Sequence, residues 1–190
     1  MINGTDSSGT FYLFNKKDNK IPIVFIHGVG LTNEIWQPQL DYFKDSSTIS
    51  YDILGHGKTP LNQSNISFDN FSDQLINLIN ELKLEKIHLI GFSIGSLIAR
   101  NFATKYNHRL QSLILLGSIY ERTEEQQKIV NDRFNLAKKS LKLSRQALKR
   151  WFSDKYLEEN PNTYKKISSI LERNDMKNFL KVYELFVFHK

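Results

Sequence analysis

The chain has 190 residues, 40% of them hydrophobic, a formal net charge of +6 and no cysteine. That length buries one sizeable core, and the absence of cysteine excludes disulfides, thiolate nucleophiles and cysteine-ligated metals. The longest apolar runs, such as 113–116, are far too short to cross a bilayer.

Residues 1–10 are polar and lack the apolar stretch of a signal peptide, so a cytoplasmic protein is expected. The densest basic patch is Lys138, Lys139, Lys142, Arg145, Lys149 and Arg150. On a helix it reads as a solvated face, and no nucleic-acid or membrane partner is expected.

Taken in order, residues 3–9 are rich in turn formers, and 11–14 read as a short strand or hairpin arm. Residues 21–26 are almost continuously apolar with a proline second, the pattern of a parallel strand buried on both faces. That strand ends in His27-Gly28-Val29-Gly30. Asn33 is expected to cap a helix with Trp36, Leu40 and Phe43 on its apolar face. A strand over 48–53 runs into Asp52-Ile53-Leu54-Gly55-His56-Gly57. Ser67 then caps a helix placing Phe71, Leu75, Leu78, Ile79 and Leu82 on one side.

Residues 87–90 form the next strand, 94–106 a helix and 110–116 another strand. Gly95, Ala99 and Ala103, four apart, give that helix a smooth stripe for close approach to a sheet. Strand and helix alternate, so the fold class is α/β: a mostly parallel sheet of about six strands with helices on both faces.

Beyond Tyr120 the pattern becomes helical. Four helices are expected: one opened by Thr123 with Val130, Phe134, Ala137 and Leu141; one capped by Ser144 with Leu148, Trp151 and Phe152. A third starts at Asn160-Pro161 with Tyr164, Ile167 and Leu171, and a fourth at Asn174 or Asp175 with Phe179, Leu180, Tyr183 and Phe186. Residues 1–120 thus read as a core and 121–190 as an inserted lid.

Gly91-Phe92-Ser93-Ile94-Gly95 sits between a strand and a helix. A chain reversing within so few residues strains the central serine and demands small neighbours two positions either side. The serine hydroxyl then stands clear of the sheet, and the following helix aims its free N–H groups and positive end toward it. In parallel sheets function gathers at the carboxyl ends of the strands, where all three marked sequences fall.

With H-G-V-G at His27, D-I-L-G-H-G-K-T at Asp52, G-F-S-I-G-S at Gly91 and R-W-F at Arg150, the chain resembles the α/β-hydrolase family over essentially its whole length. The likeness is greatest to the branch of 3-oxoadipate enol-lactonases and esterases. Ser96 departs from it, standing where these relatives usually carry glycine. The resemblance implies Ser93 as nucleophile, the backbone N–H groups of Val29 and Ile94 as oxyanion hole, and a pocket with Phe92 and Trp151 in its walls. His27 reads as a residue that orders its loop, Asp52 and His56 as a turn-stabilising pair, and His88 as a satisfied strand histidine. No histidine pair has ligand spacing, so no metal is expected, nor any cofactor.

In this family the triad acid and histidine follow the serine. His108 precedes a strand and belongs to the opposite end of the sheet. His189 lies within the closing lid helix, with no sequence after it for the last core strands, so the chain looks truncated. Glu121 reads as an exposed helix-start residue. The expected function is hydrolysis of a small carboxylic ester or lactone through an acyl-enzyme on Ser93. Perhydrolase or haloperoxidase chemistry, or a non-enzymatic binding module, stand as alternatives, whereas dehalogenases would need aspartate at 93.

Overall fold

The computed structural model describes residues 1–140 and 146–189. Six strands form one sheet in the order β1-β2-β4-β3-β5-β6: β1 (Ile2–Thr5), β2 (Phe11–Asn15), β3 (Ile23–Ile26), β4 (Thr48–Tyr51), β5 (Ile87–Phe92) and β6 (Leu110–Leu116). The first two strands pair antiparallel with each other, and β2 is antiparallel to β4. The pairs β3/β4, β3/β5 and β5/β6 are parallel. The turn-rich reading of 3–9 needs correction, because Ile2–Thr5 is a strand held by main-chain pairing to β2.

Side-chain alternation along β3 explains its place at the centre. Val24 and Ile26 enter the main core with Phe71, Leu75 and Leu78 of α2 (Phe68–Glu81) and Ile98 and Phe102 of α3 (Ile94–Tyr106). Phe25 points the other way, into a cluster with Trp36 and with Leu40 of α1 (Gln37–Tyr42). Helices therefore lie on both faces. Ser67 caps α2 as expected, its N–H donating to Asn70 Oδ1 at 2.8 Å. Asn33 does not cap α1: it opens a 3₁₀ turn over Asn33–Trp36 that leads into the helix, and that turn is capped by Thr32, whose Oγ1 accepts from Glu34 N. Asn33 is drawn away by the Asp52 carboxylate, as described below.

After β6 the described residues form five helices rather than the four expected: α4 (Glu124–Ser140), α5 (Gln146–Trp151), α6 (Asp154–Glu159), α7 (Pro161–Glu172) and α8 (Met176–Val187). The unexpected α6 carries one buried residue, Leu157, too few for a periodic signal. Asp175 caps α8, accepting from Asn178 N. Leu141, Lys142, Ser144 and Arg145 lie outside the described residues; Lys138, Lys139, Lys149 and Arg150 are exposed. Leu148 of α5, Leu157 of α6, and Ile170 and Leu171 of α7 form a second cluster that closes over Leu31. Val182 of α8 joins the main core. No helix among the described residues is long and apolar enough to cross a membrane.

Candidate active site

The chain passes from β3 to β4 on one side and then returns, through α2, to β5 on the other side of β3. Such a reversal leaves a crevice beyond the carboxyl ends of the strands, and the loops after β3, β4 and β5 all open there.

Ser93 occupies the turn from β5 to α3 with φ 55° and ψ −120°, a conformation that costs a non-glycine residue about 1–3 kcal/mol. The strain is held in place by close backbone contacts on either side. A β-carbon at Gly91 would collide with the carbonyl of Gly95; one at Gly95 would lie 2.6 Å from the Ile26 carbonyl oxygen and 2.7 Å from that of His27. The turn is therefore seated directly on the end of β3 and the start of its loop. Ser93 N donates to Leu116 O at 2.9 Å, tying the turn to β6 as well. The serine is half-buried, and its hydroxyl has no hydrogen-bond partner among the described residues. Ile94 is the first residue of α3, where amide N–H groups lack helical acceptors. Ser96 is accommodated by turning its hydroxyl inward to Ser93 O, at 2.5 Å.

The loop after β3 is organised by two buried histidines. His27 Nε2 accepts from Ile53 N at 3.1 Å, so the proton resides on Nδ1, which donates to Gly28 O at 2.8 Å. Leu31 N donates to the same carbonyl at 3.1 Å. Because the peptide is planar and trans, anchoring the Gly28 carbonyl on one side turns the Val29 N–H to the other. His56 Nε2 accepts from Gly30 N at 2.9 Å, while its Nδ1 donates to Leu54 O at 3.2 Å.

Burial lowers the His27 pKa to about 4, against the opposing pull of its bond to Gly28. Burial first, and the neighbouring His27 second, lower that of His56 to about 3. Both rings are neutral near pH 7 with both nitrogens engaged, which suits them to holding loops and leaves neither free to accept a serine proton. Asp52 belongs to the same framework: its Oδ1 accepts from Asn33 N (2.8 Å) and Asn33 Nδ2 (2.7 Å), and its Oδ2 from Lys58 N (2.9 Å).

Phe92, next to the serine in sequence, packs against both the Leu31 cluster, to which α5 contributes Leu148, and the Phe25 cluster. Trp151, on α5, is 44% exposed. His88 shares its Nδ1 with Ser112 Oγ at 2.7 Å on the strand surface. His108 lies just before β6, at the end of the sheet opposite Ser93. His189 stacks edge-on to Phe68 and, with Arg100, Glu121 and Arg122, lines an open groove of about 860 Å³. Its pKa is lowered by partial burial and by those two arginines. Asn174, read from sequence only as a possible helix cap, instead reaches the loop after β3: its Nδ2 donates to Gly30 O at 2.8 Å. The two residues are 144 positions apart, and no local pattern signals the contact.

Comparisons with known proteins agree with this geometry. A family described as alpha/beta hydrolase fold matches residues 21–163. The chain is 30% identical to (E)-2-((N-methylformamido)methylene)succinate hydrolase of Acinetobacter baylyi, over 87% of this chain and 62% of that protein. It is 28% identical to 3-oxoadipate enol-lactonase 1 of the same species, over 80% of this chain and 57% of the enzyme. It thus spans about three-fifths of the length of these curated relatives. A crystal structure of a hydrolase from Pseudomonas aeruginosa superposes with a TM-score of 0.83 at 16% identity, covering 98% of this chain and 72% of that one, which shows the fold. With the strained serine turn seated on β3, the three loops at one end of the sheet and the family match over most of its length, the chain belongs to the alpha/beta hydrolase fold family.

Proposed function

We propose that Ser93 is the nucleophile of a serine hydrolase acting on a small carboxylic ester or lactone, through an acyl-enzyme. The observation that carries this reading is the Ser93 backbone, held at φ 55° between two glycines that admit no side chain. Nothing in β-strand or helix formation calls for that strain, whereas presenting a hydroxyl at the mouth of the crevice does. Ser93 Oγ attacks the acyl carbon, and the negative charge on the acyl oxygen is met by the N–H groups of Val29 and Ile94; collapse of that adduct breaks the bond from acyl carbon to alkoxy oxygen, which leaves as the alcohol, or as the freed hydroxyl of an opened lactone, with the proton given up by the serine. Such preorganised donors are worth about 3–4 kcal/mol each in the transition state. Water then attacks the acyl-enzyme and releases the acid. The helices after β6, with Leu148 and Leu171 closed over Leu31, form the cap, and Phe92, which packs against that cluster, is the wall residue this packing supports; Trp151 is assigned to the pocket by family resemblance alone.

The names of the relatives support the substrate class: one is a hydrolase of a succinate derivative, the other an enol-lactonase. Hydroxyl nucleophiles need an adjacent base, and His27 and His56 are both committed to backbone partners. No triad acid or histidine is assigned. The test is hydrolysis of p-nitrophenyl acetate with mass spectrometry of the quenched protein. An acetyl group on Ser93, absent from Ser93→Ala, supports the reading. Equal rates in the two proteins overturn it.

A further inference from the structure

We propose that Asn174 is a positioning residue, latching the cap onto the oxyanion loop by holding the Gly30 carbonyl; the catalytic consequence rests on the function proposed above. Asn174 lies between α7 and α8. Its Nδ2 faces three carbonyls: Gly30 O at 2.8 Å, and Ile170 O and Leu171 O at 3.1 Å each. Three acceptors around one atom settle the amide orientation, since an oxygen there would be repelled by all of them. Asn174 Oδ1 is consequently buried without a partner. A residue needed only to end α7 has no reason to bury an unpaired oxygen, and the contact to Gly30 supplies one.

Gly30 is gripped from both sides. Its N–H is taken by His56 Nε2 from the loop after β4, and its C=O by Asn174 from the cap. The Val29 N–H lies one peptide earlier, on the unit whose carbonyl His27 and Leu31 hold. Two more contacts join the same partners: Arg173 pairs with Glu34 at 2.8 Å, and Leu31 is enclosed by cap residues. The Glu34 pair is half-exposed and contributes little. Asn174 is therefore the directional element, and a displacement of the α7–α8 junction releases the Gly30 carbonyl and frees the Val29–Gly30 segment to rotate. Cap position and oxyanion-hole geometry become a single variable.

The test uses two variants of the full chain, Asn174→Ala and Asn174→Leu, the second keeping the side-chain volume. Amide hydrogen exchange is read at Gly30 and Leu31, with β5 as internal reference. The latch predicts exchange at those two amides about tenfold faster in both variants, with β5 unchanged. Exchange at 30 and 31 that changes only in step with β5 reports general destabilisation and overturns it. Phosphonylation of Ser93 by a fluorophosphonate is followed in parallel and is expected to slow about tenfold. Faster exchange with unaltered phosphonylation overturns the role in catalysis while leaving the Ser93 reading intact. A wild-type protein that is never phosphonylated at Ser93 sinks the proposed function instead, and the exchange data still decide the latch.

Discussion

β3 and β6 are both apolar strands of the same sheet, and their fates differ. Every residue of β3 beyond Ile23 is buried, with Val24 and Ile26 on one face and Phe25 on the other. β6 is longer, but Leu113, Ile114, Leu115 and Leu116 are 37%, 45%, 37% and 41% exposed, and the strand is the edge of the sheet. Apolar, β-branched composition makes a strand; what covers it is decided by elements elsewhere in the chain. The strained serine turn and the histidine-held loops lie where the cover is complete, because strained backbone and neutral buried histidines persist only in a well-packed surround.

The contrast is sharpest under acid, since both buried histidines belong to the β3 side. Their folded-state pKa values, about 4 for His27 and about 3 for His56, lie below the unfolded value of 6.5. The unfolded chain therefore takes up protons first as pH falls. Stability is full above pH 6.5 and lost progressively as pH descends toward 4 and 3, with a slope approaching about 2.7 kcal/mol per pH unit when both titrate. Asp52 opposes this for His56, and a protonated His27 reinforces it. Denaturant titrations between pH 7 and 5 measure the slope, and His56→Gln should roughly halve it. A flat profile in that window would show the histidines to be accessible. Protonation also removes the acceptor for Gly30 N, so the loop after β3 should loosen along with stability.

Truncating the two strands separates them next. Phe25→Ala removes a ring that packs 5.0 Å from Trp36 and should destabilise by about 3–5 kcal/mol in urea unfolding. Ile114→Ser on β6 should cost about 1 kcal/mol, because its side chain is already 45% exposed. The same substitution should lower binding of a hydrophobic dye and slow aggregation, as expected for an uncovered apolar edge. Equal destabilisation by the two would mean that β6 is covered in solution.

Local chemistry was readable in the sequence. Gly91 to Gly95, the strand before it and the helix over 94–106 are where the residues place them, because the turn is a contest of sterics settled within five positions. His27 orders its loop as its place at a strand end suggests, whereas Asp52 and His56, read as a turn-stabilising pair, share no hydrogen bond: Asp52 holds Asn33 and Lys58 N, and His56 holds Gly30 N and Leu54 O. Nonlocal chemistry was not readable. Thr32 displaced Asn33 as a cap because Asp52, 19 residues away, draws the Asn33 side chain and N–H. β1, with Gly4 and Asn3 in it, is a strand through main-chain pairing alone. Asn174 reaches Gly30 across 144 residues, a contact that only the packing of the helices after β6 creates.

The most direct test of the central claim, that the turn at Ser93 and the loop after β3 form one nucleophile and oxyanion site, is a crystal structure of the protein phosphonylated by a fluorophosphonate. The account predicts phosphorus bonded to Ser93 Oγ, with its non-bridging oxygen about 2.7–3.1 Å from the amide nitrogens of both Val29 and Ile94. A phosphonyl oxygen turned to solvent, or an adduct on another residue, would contradict it.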